Sequence, residues 1–191
     1  MFDTHCHLDS EAFDADRDAV LERARRAGVD RLVIPSVGPA GWQPLLDWSR
    51  GRPGLQVGLG IHPQLLPQMD ERDDERHLLR LDALLSAGGV AAVGECGLDG
   101  TVTAQAPMER QRAVFRDHLE LARRHRLPLL VHCFKAHDEL QALFSELAPP
   151  PSVLHSFSGS ADQVRAYLRW DLRFAFAGPI TYENARRGPA A

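Results

Sequence analysis

Short apolar runs alternate along the chain with longer stretches in which apolar side chains recur every three or four positions. The first pattern predicts strands buried on both faces, and the second predicts amphipathic helices. Phe2–His7 reads as the opening strand. Asp14 is expected to cap a helix whose apolar positions Val20, Leu21, Ala24 and Ala27 follow helical spacing and which stops at Gly28. Arg31–Val37 is the second strand, Pro39–Arg50 a short helix and Leu55–Ile61 the third strand. Glu71–Ala87 is helical and Val90–Glu95 is the fourth strand. Pro107 suits the first position of a long helix to Arg126, with Val114, Phe115, His118, Leu119 and Ala122 on one face. Pro128–His132, Ser152–His155 and Leu172–Gly178 complete the strands, separated by helices over His137–Leu147 and Ser160–Trp170.

Strand–helix alternation of this kind gives parallel strands joined by right-handed crossovers, with helices on both faces or a closed barrel. The linkers are short apart from Gly97–Ala106 and the Pro149–Pro151 run, so a single domain is expected over residues 1–187, followed by a tail at 188–191. An eight-stranded barrel typically needs about 250 residues. Seven strands are visible, and the polar, small residues Asn184–Ala191 do not supply an eighth. The open edges of the first and seventh strands then invite pairing with another chain, and hence self-association.

Composition narrows the function classes. The chain has 191 residues, 44% hydrophobic and 25% charged, with a formal net charge of -4. That balance argues against a broad basic surface for nucleic acid, but leaves room for a substrate held locally by metal ions and a few cations. Arg23, Arg25 and Arg26, like Arg123, Arg124 and Arg126, sit late in predicted helices, where they complement the helix dipole on a solvated face. No stretch approaches the ~18 apolar residues that span a bilayer, and no basic-then-apolar leader opens the chain. The three cysteines lack a disulfide-framework spacing, which suggests free thiols in a reducing compartment and a cytoplasmic protein.

The candidate chemistry is metal binding. On a strand, His5 and His7 project from the same face, an arrangement suited to a divalent transition metal; two core histidines are the alternative. Glu95, His132 and His155 fall at the C-terminal ends of the fourth, fifth and sixth strands, where parallel barrels form their active sites. Each of these has a structural reading alone, but together they converge on one rim. Cys6, Cys96 and Cys133 each adjoin a candidate ligand, and alternation turns them toward the helices as small apolar residues. A mixed Cys/His zinc site is the alternative.

Phe2-Asp3-Thr4-His5-Cys6-His7-Leu8-Asp9, Gly60-Ile61-His62-Pro63, Gly94-Glu95-Cys96-Gly97-Leu98-Asp99, His132-Cys133, His155-Ser156-Phe157-Ser158-Gly159 and Phe176-Ala177-Gly178-Pro179-Ile180-Thr181 occur in this order. Together they resemble the TatD family of metal-dependent hydrolases over almost the whole chain. The resemblance implies a TIM-barrel-like α/β fold, two divalent metal ions (Zn, Mn, Mg or Ni) and hydrolysis of phosphodiester bonds, typically in DNA. By the same resemblance His5 and His7 hold one ion, His132 and His155 the other, and Glu95 bridges them and takes part in catalysis. His62 matches a histidine near the substrate phosphate, with a plain His-Pro turn as its alternative. Lys135 falls where relatives often carry a basic residue and is a candidate phosphate contact; an exposed loop lysine is the alternative. Ser158 and Gly159 precede a helix whose N-terminus is a weak candidate for an anion.

The family carries one further motif, Glu-Thr-Asp before a small residue and Pro, whose aspartate is a metal ligand. This sequence has no such segment: beyond His155 its aspartates are Asp162 and Asp171, both between the sixth and seventh strands. The expectation is therefore a chain that binds metal but hydrolyses poorly. Two other readings stand beside the deoxyribonuclease: a small-molecule amidohydrolase and a metal-binding module that has lost catalysis.

Overall fold

Seven parallel strands follow one another across a single sheet in the order of the sequence. They are β1 (Phe2–Asp3), β2 (Arg31–Ser36), β3 (Leu55–Leu59), β4 (Ala92–Asp99), β5 (Leu129–Phe134), β6 (Ser152–Leu154) and β7 (Leu172–Phe174). The intervening helices are α1 (Arg17–Arg26), α2 (Pro39–Ser49), α3 (Asp74–Ala87), α4 (Met108–His125), α5 (His137–Glu146) and α6 (Ala161–Tyr167). The computed structural model describes residues 1–182. The expected domain limit at 187, the tail 188–191 and the polar segment 184–191 lie outside the described residues.

Every crossover advances by one strand in the same sense, so the inherent twist curls the sheet into a TIM-barrel-like half-barrel. Among the described residues no pairing joins β1 to β7. Side-chain alternation sorts the strands into two faces. Leu32, Ile34, Val57, Leu59, Val93, Cys96, Leu98, Leu129, Val131, Cys133 and Leu154 join one large core with the helices, including Trp42, Leu81, Phe115, Leu119 and Phe144. Val33, Ala92 and Leu130 form a separate small cluster, with Val153 packed against it. This second set fills the inside of the curl, because it takes the alternate positions on β2, β4, β5 and β6. His132 lies two residues beyond Leu130, and His155 two beyond Val153, so the period that buries the interior layer also aims both imidazoles into its mouth.

Element limits differ from the sequence reading where local chemistry competes. The first strand stops at Asp3 instead of running to His7, because the Asp3 carboxylate accepts the backbone N–H of His5 and turns the chain. Asp14 does not cap α1. It closes a short 3-10 turn over Glu11–Phe13 and pairs with Arg17, and Asp16 takes the N-cap position. Pro107 is the N-cap of α4, not its first helical residue. The fourth strand runs on through Gly97 to Asp99, four residues beyond the expected end. The seventh ends at Phe174, and Gly178–Thr181 forms a 3-10 turn. Among the described residues no helix is long and apolar enough to cross a membrane.

Candidate metal centre

The site is built around Glu95, whose side chain is 2% exposed at the mouth of the half-barrel. Strand β4 shifts register against β5 between Val93 and Cys96. Beyond that shift Cys96 and Leu98 face the helices, which leaves Glu95, Gly97 and Asp99 on the inner face. Gly97 is obligatory here: its φ is +143°, and a Cβ would sit 1.9 Å from the carbonyl oxygen of His132. The close approach of β4 to β5 therefore places Glu95 and Asp99 on either side of His132.

Five imidazoles meet the two oxygens of this one carboxylate. On Oε2, His5 Nε2 lies at 3.1 Å and His7 Nε2 at 3.2 Å, and these two nitrogens are themselves 3.2 Å apart. On Oε1 the neighbours are His155 Nε2 at 2.6 Å, His62 Nε2 at 3.0 Å and His132 Nδ1 at 3.2 Å. His155 Nε2 is 3.4 Å from His132 Nδ1, and the His5 and His155 rings stack at 3.7 Å. Ligand atoms about 2.0–2.2 Å from one ion stand roughly 3–3.5 Å apart around it, so the observed spacings suit nitrogens and oxygens that share a cation.

Hydrogen bonds behind the imidazoles fix which nitrogen carries a proton. His132 Nε2 lies 3.0 Å from Asp99 Oδ2. Burial alone would raise the Asp99 carboxyl, but hydrogen bonds from Thr101, Gln64 and His132 hold it below the ordinary carboxylate range. An ionised Asp99 accepts the Nε2 proton of His132, and the Nδ1 lone pair of that ring then faces the Glu95 carboxylate. A lone pair directed at an anion needs a positive charge between them, which a divalent ion supplies. His62 is set the other way. Its Nδ1 accepts the backbone N–H of Gln64 at 3.1 Å, so its proton sits on Nε2 and is donated to Glu95. His62, Glu95 and His132 are close enough to hold an ion by spacing alone, yet this tautomer makes His62 a donor and leaves the lone pairs to the other rings.

Burial works to raise the Glu95 carboxyl, but hydrogen bonds from His132, His155, His5 and His62 outweigh it and hold the group ionised, far below its usual range. Burial pushes His5 and His62 down, toward neutral imidazoles. His7 is raised to about 9, by Asp9 first and Glu95 second; the Asp9 carboxylate lies 3.7 Å from its Nδ1. Among the described residues the Nδ1 of His5 is buried without a hydrogen-bond partner.

Comparison with known proteins gives the family. The sequence profile of the TatD related DNase family matches residues 2–191. The chain belongs to the TatD family. It is similar to the Escherichia coli K12 protein described as "Uncharacterized metal-dependent hydrolase YjjV", with 33% identity over 98% of this chain and 71% of the relative. A second relative, the "3'-5' ssDNA/RNA exonuclease TatD" of Cronobacter turicensis, is 34% identical over 98% of this chain and 70% of its own length. The crystal structure of E. coli YjjV, a TatD homologue, superimposes with a TM-score of 0.85 at 32% identity, covering 95% of this chain and 70% of that one. The protein is accordingly a TatD-family metal-dependent hydrolase.

Within this TatD-family frame the structure gathers His5, His7, Glu95, His132 and His155 in one cluster and adds His62 to it. Lys135 stays outside: its ammonium lies 5.5 Å over the Phe134 ring, at the edge of a cavity shared with Asp138, Glu139 and Ser158. At the helix after Ser158 and Gly159, Ser160 and Gln163 cap the N-terminus reciprocally, each side chain taking the backbone N–H of the other. Cys96 and Cys133 are buried in the main core, and Cys6 packs against it; none joins the ligand cluster among the described residues. Sequence reading missed Asp99, Gln64 and Gln111. The Gln111 side chain bridges the backbone N–H and C=O of Asp99, at 2.8 and 3.0 Å, and so holds the end of β4 in place. Asp99 had a visible signal, since it stands two steps of two beyond Glu95 on a continued strand. Gln64 and Gln111 had none.

Proposed function

We propose that this centre hydrolyses phosphodiester bonds, with DNA as the substrate class. In this reading His5 and His7 would hold one divalent ion and His132 and His155 a second, with Glu95 shared between them. The observation that carries the reading is the split of the histidines between the two oxygens of a single buried carboxylate. Such ions, when bound, would supply a water of lowered pKa and charge compensation for phosphoryl oxygens. Glu95 would place negative charge between the two cations. The Nε2–H of His62 is a donor positioned for a phosphoryl oxygen beside Glu95. Lys135, on the rim, meets the phosphate chain farther out. The Cronobacter turicensis relative, a 3'-5' exonuclease of single-stranded DNA and RNA, supports a nucleic-acid substrate.

Purified protein, stripped of metal and reloaded with manganese or zinc, is expected to cleave a labelled single-stranded oligonucleotide only when loaded. Cleavage at the same rate with and without metal would contradict the reading. So would a loaded protein that hydrolyses a lactone or dihydropyrimidine but no phosphodiester.

The ligand assignment is tested separately by metal content. His5→Ala is expected to lower bound metal, whereas Cys6→Ala retains the full complement, because the thiol belongs to the apolar packing. Equal metal loss in both variants, measured by elemental analysis after dialysis, would overturn the separation of imidazole from thiol.

A further inference from the structure

The two histidines whose tautomers differ in consequence, His62 and His132, come from different strands, yet one residue touches both of their hydrogen-bond systems. The backbone N–H of Gln64 donates to His62 Nδ1 at 3.1 Å. The side-chain amide of the same residue donates to Asp99 Oδ2 at 2.7 Å, the oxygen that faces His132 Nε2 at 3.0 Å. Asp99 is fully buried, and its other oxygen, Oδ1, accepts from the Thr101 backbone N–H at 2.8 Å and from the Thr101 hydroxyl. Each carboxylate oxygen is therefore oriented by its own donors.

We propose that Gln64 is a positioning residue that sets both tautomers at once: its backbone fixes His62 as an Nε2–H donor, and its side chain fixes Asp99 so that His132 keeps its proton on Nε2 and its Nδ1 lone pair toward Glu95. The two halves act through different atoms of one residue and can be separated. Gln64 sits in the 3-10 turn Pro63–Gln68, directly after the His62 that caps it. A shift of this turn thus moves the donor histidine and the support of the ligand histidine together. Losing the outer support of a ligand imidazole typically costs 10–100-fold in metal affinity. The effect belongs to the ion at His132 and His155; among the described residues the pair His5 and His7, on the other carboxylate oxygen, has no bond to this turn.

The inference rests on the metal-centre reading but not on catalysis. The test is imidazole nitrogen NMR of the zinc-loaded, 15N-labelled full chain, with zinc affinity from competition with a chelator. In the parent, His132 and His62 each carry a proton on Nε2. Gln64→Leu keeps the backbone donor and removes the amide. It is expected to leave the His62 signature unchanged, to speed solvent exchange of the His132 Nε2 proton or mix its tautomers, and to weaken one zinc site 10–100-fold. Asp99→Asn keeps the volume and serves if Gln64→Leu does not fold. Its amide donates to His132 Nε2 and is expected to move the ring proton to Nδ1, which takes that nitrogen away as a zinc ligand. An unchanged His132 signature in whichever variant folds overturns the proposal, as does weaker zinc binding with neither faster exchange nor a change of tautomer at His132. A protein that shows these shifts but cleaves no phosphodiester leaves the clamp standing and removes only the proposed function.

Discussion

Glu95→Gln is expected to abolish the centre while leaving the fold in place. The substitution keeps shape but replaces the one carboxylate that all five imidazoles share with a neutral amide, which removes the negative charge and puts an NH2 group where one of the two oxygen ligands stood. Both Oε1 and Oε2 have close imidazole nitrogens, so no rotation of the amide satisfies all of them. Bound divalent metal should fall below one ion per chain, and metal-dependent hydrolysis should drop by on the order of a thousandfold, the scale on which removing one preorganised electrostatic group acts. Elemental analysis and oligonucleotide cleavage on the same preparation check it. Retention of the parent's metal content would mean that Glu95 is not the bridge.

The second large effect concerns stability. His118 on α4 is fully buried and ties that helix to the turn that carries His62. Its Nδ1–H donates to the Val114 carbonyl at 2.7 Å, and its Nε2 accepts the backbone N–H of Ile61 at 3.0 Å. Both bonds require the neutral ring, and burial pushes its pKa from 6.5 down to about 4. The unfolded chain takes up this proton near pH 6.5 while the folded chain resists it to about pH 4. The contribution is therefore complete above pH 6.5 and is lost as pH falls through that window, roughly 3 kcal/mol in all. His118→Ala is expected to cost about 3 kcal/mol or more at neutral pH, from the cavity and the orphaned Ile61 N–H. The gap between parent and variant should narrow as pH is lowered toward 4. Urea unfolding of both proteins at pH 7 and pH 4.5 measures this; a gap independent of pH would show that His118 does not fold neutral.

The sequence made the barrel-like winding legible because its strands are buried on both faces and read as continuous apolar runs. The sites of His132 and His155 were equally open to reading, since alternation carries directly from the interior residues Leu130 and Val153 to them. His5 and His7 were rightly brought together for an incomplete reason. The strand argument places them on one face, but the strand ends at Asp3 and a turn held by the Asp3 carboxylate delivers them. Asp99 was missed because Gly97 resembles a strand terminator. Its positive φ instead lets β4 pass close against the His132 carbonyl and continue. Gln64, His118 and Gln111 were beyond reach for another cause. Their roles depend on hydrogen bonds between segments far apart in sequence, and a lone glutamine or a histidine on an apolar helix face carries no periodic signal. His62 was legible as a rim residue, but its role as donor follows only from the bond at its Nδ1.

The central claim is that one buried carboxylate divides two imidazole pairs between two ions. Anomalous diffraction from crystals of the manganese- or zinc-loaded protein tests it most directly. The expected result is two peaks flanking Glu95, one within bonding distance of His5 and His7 and the other of His132 and His155, with His62 bonded to neither. A single peak coordinated by His62, or peaks away from Glu95, would contradict it.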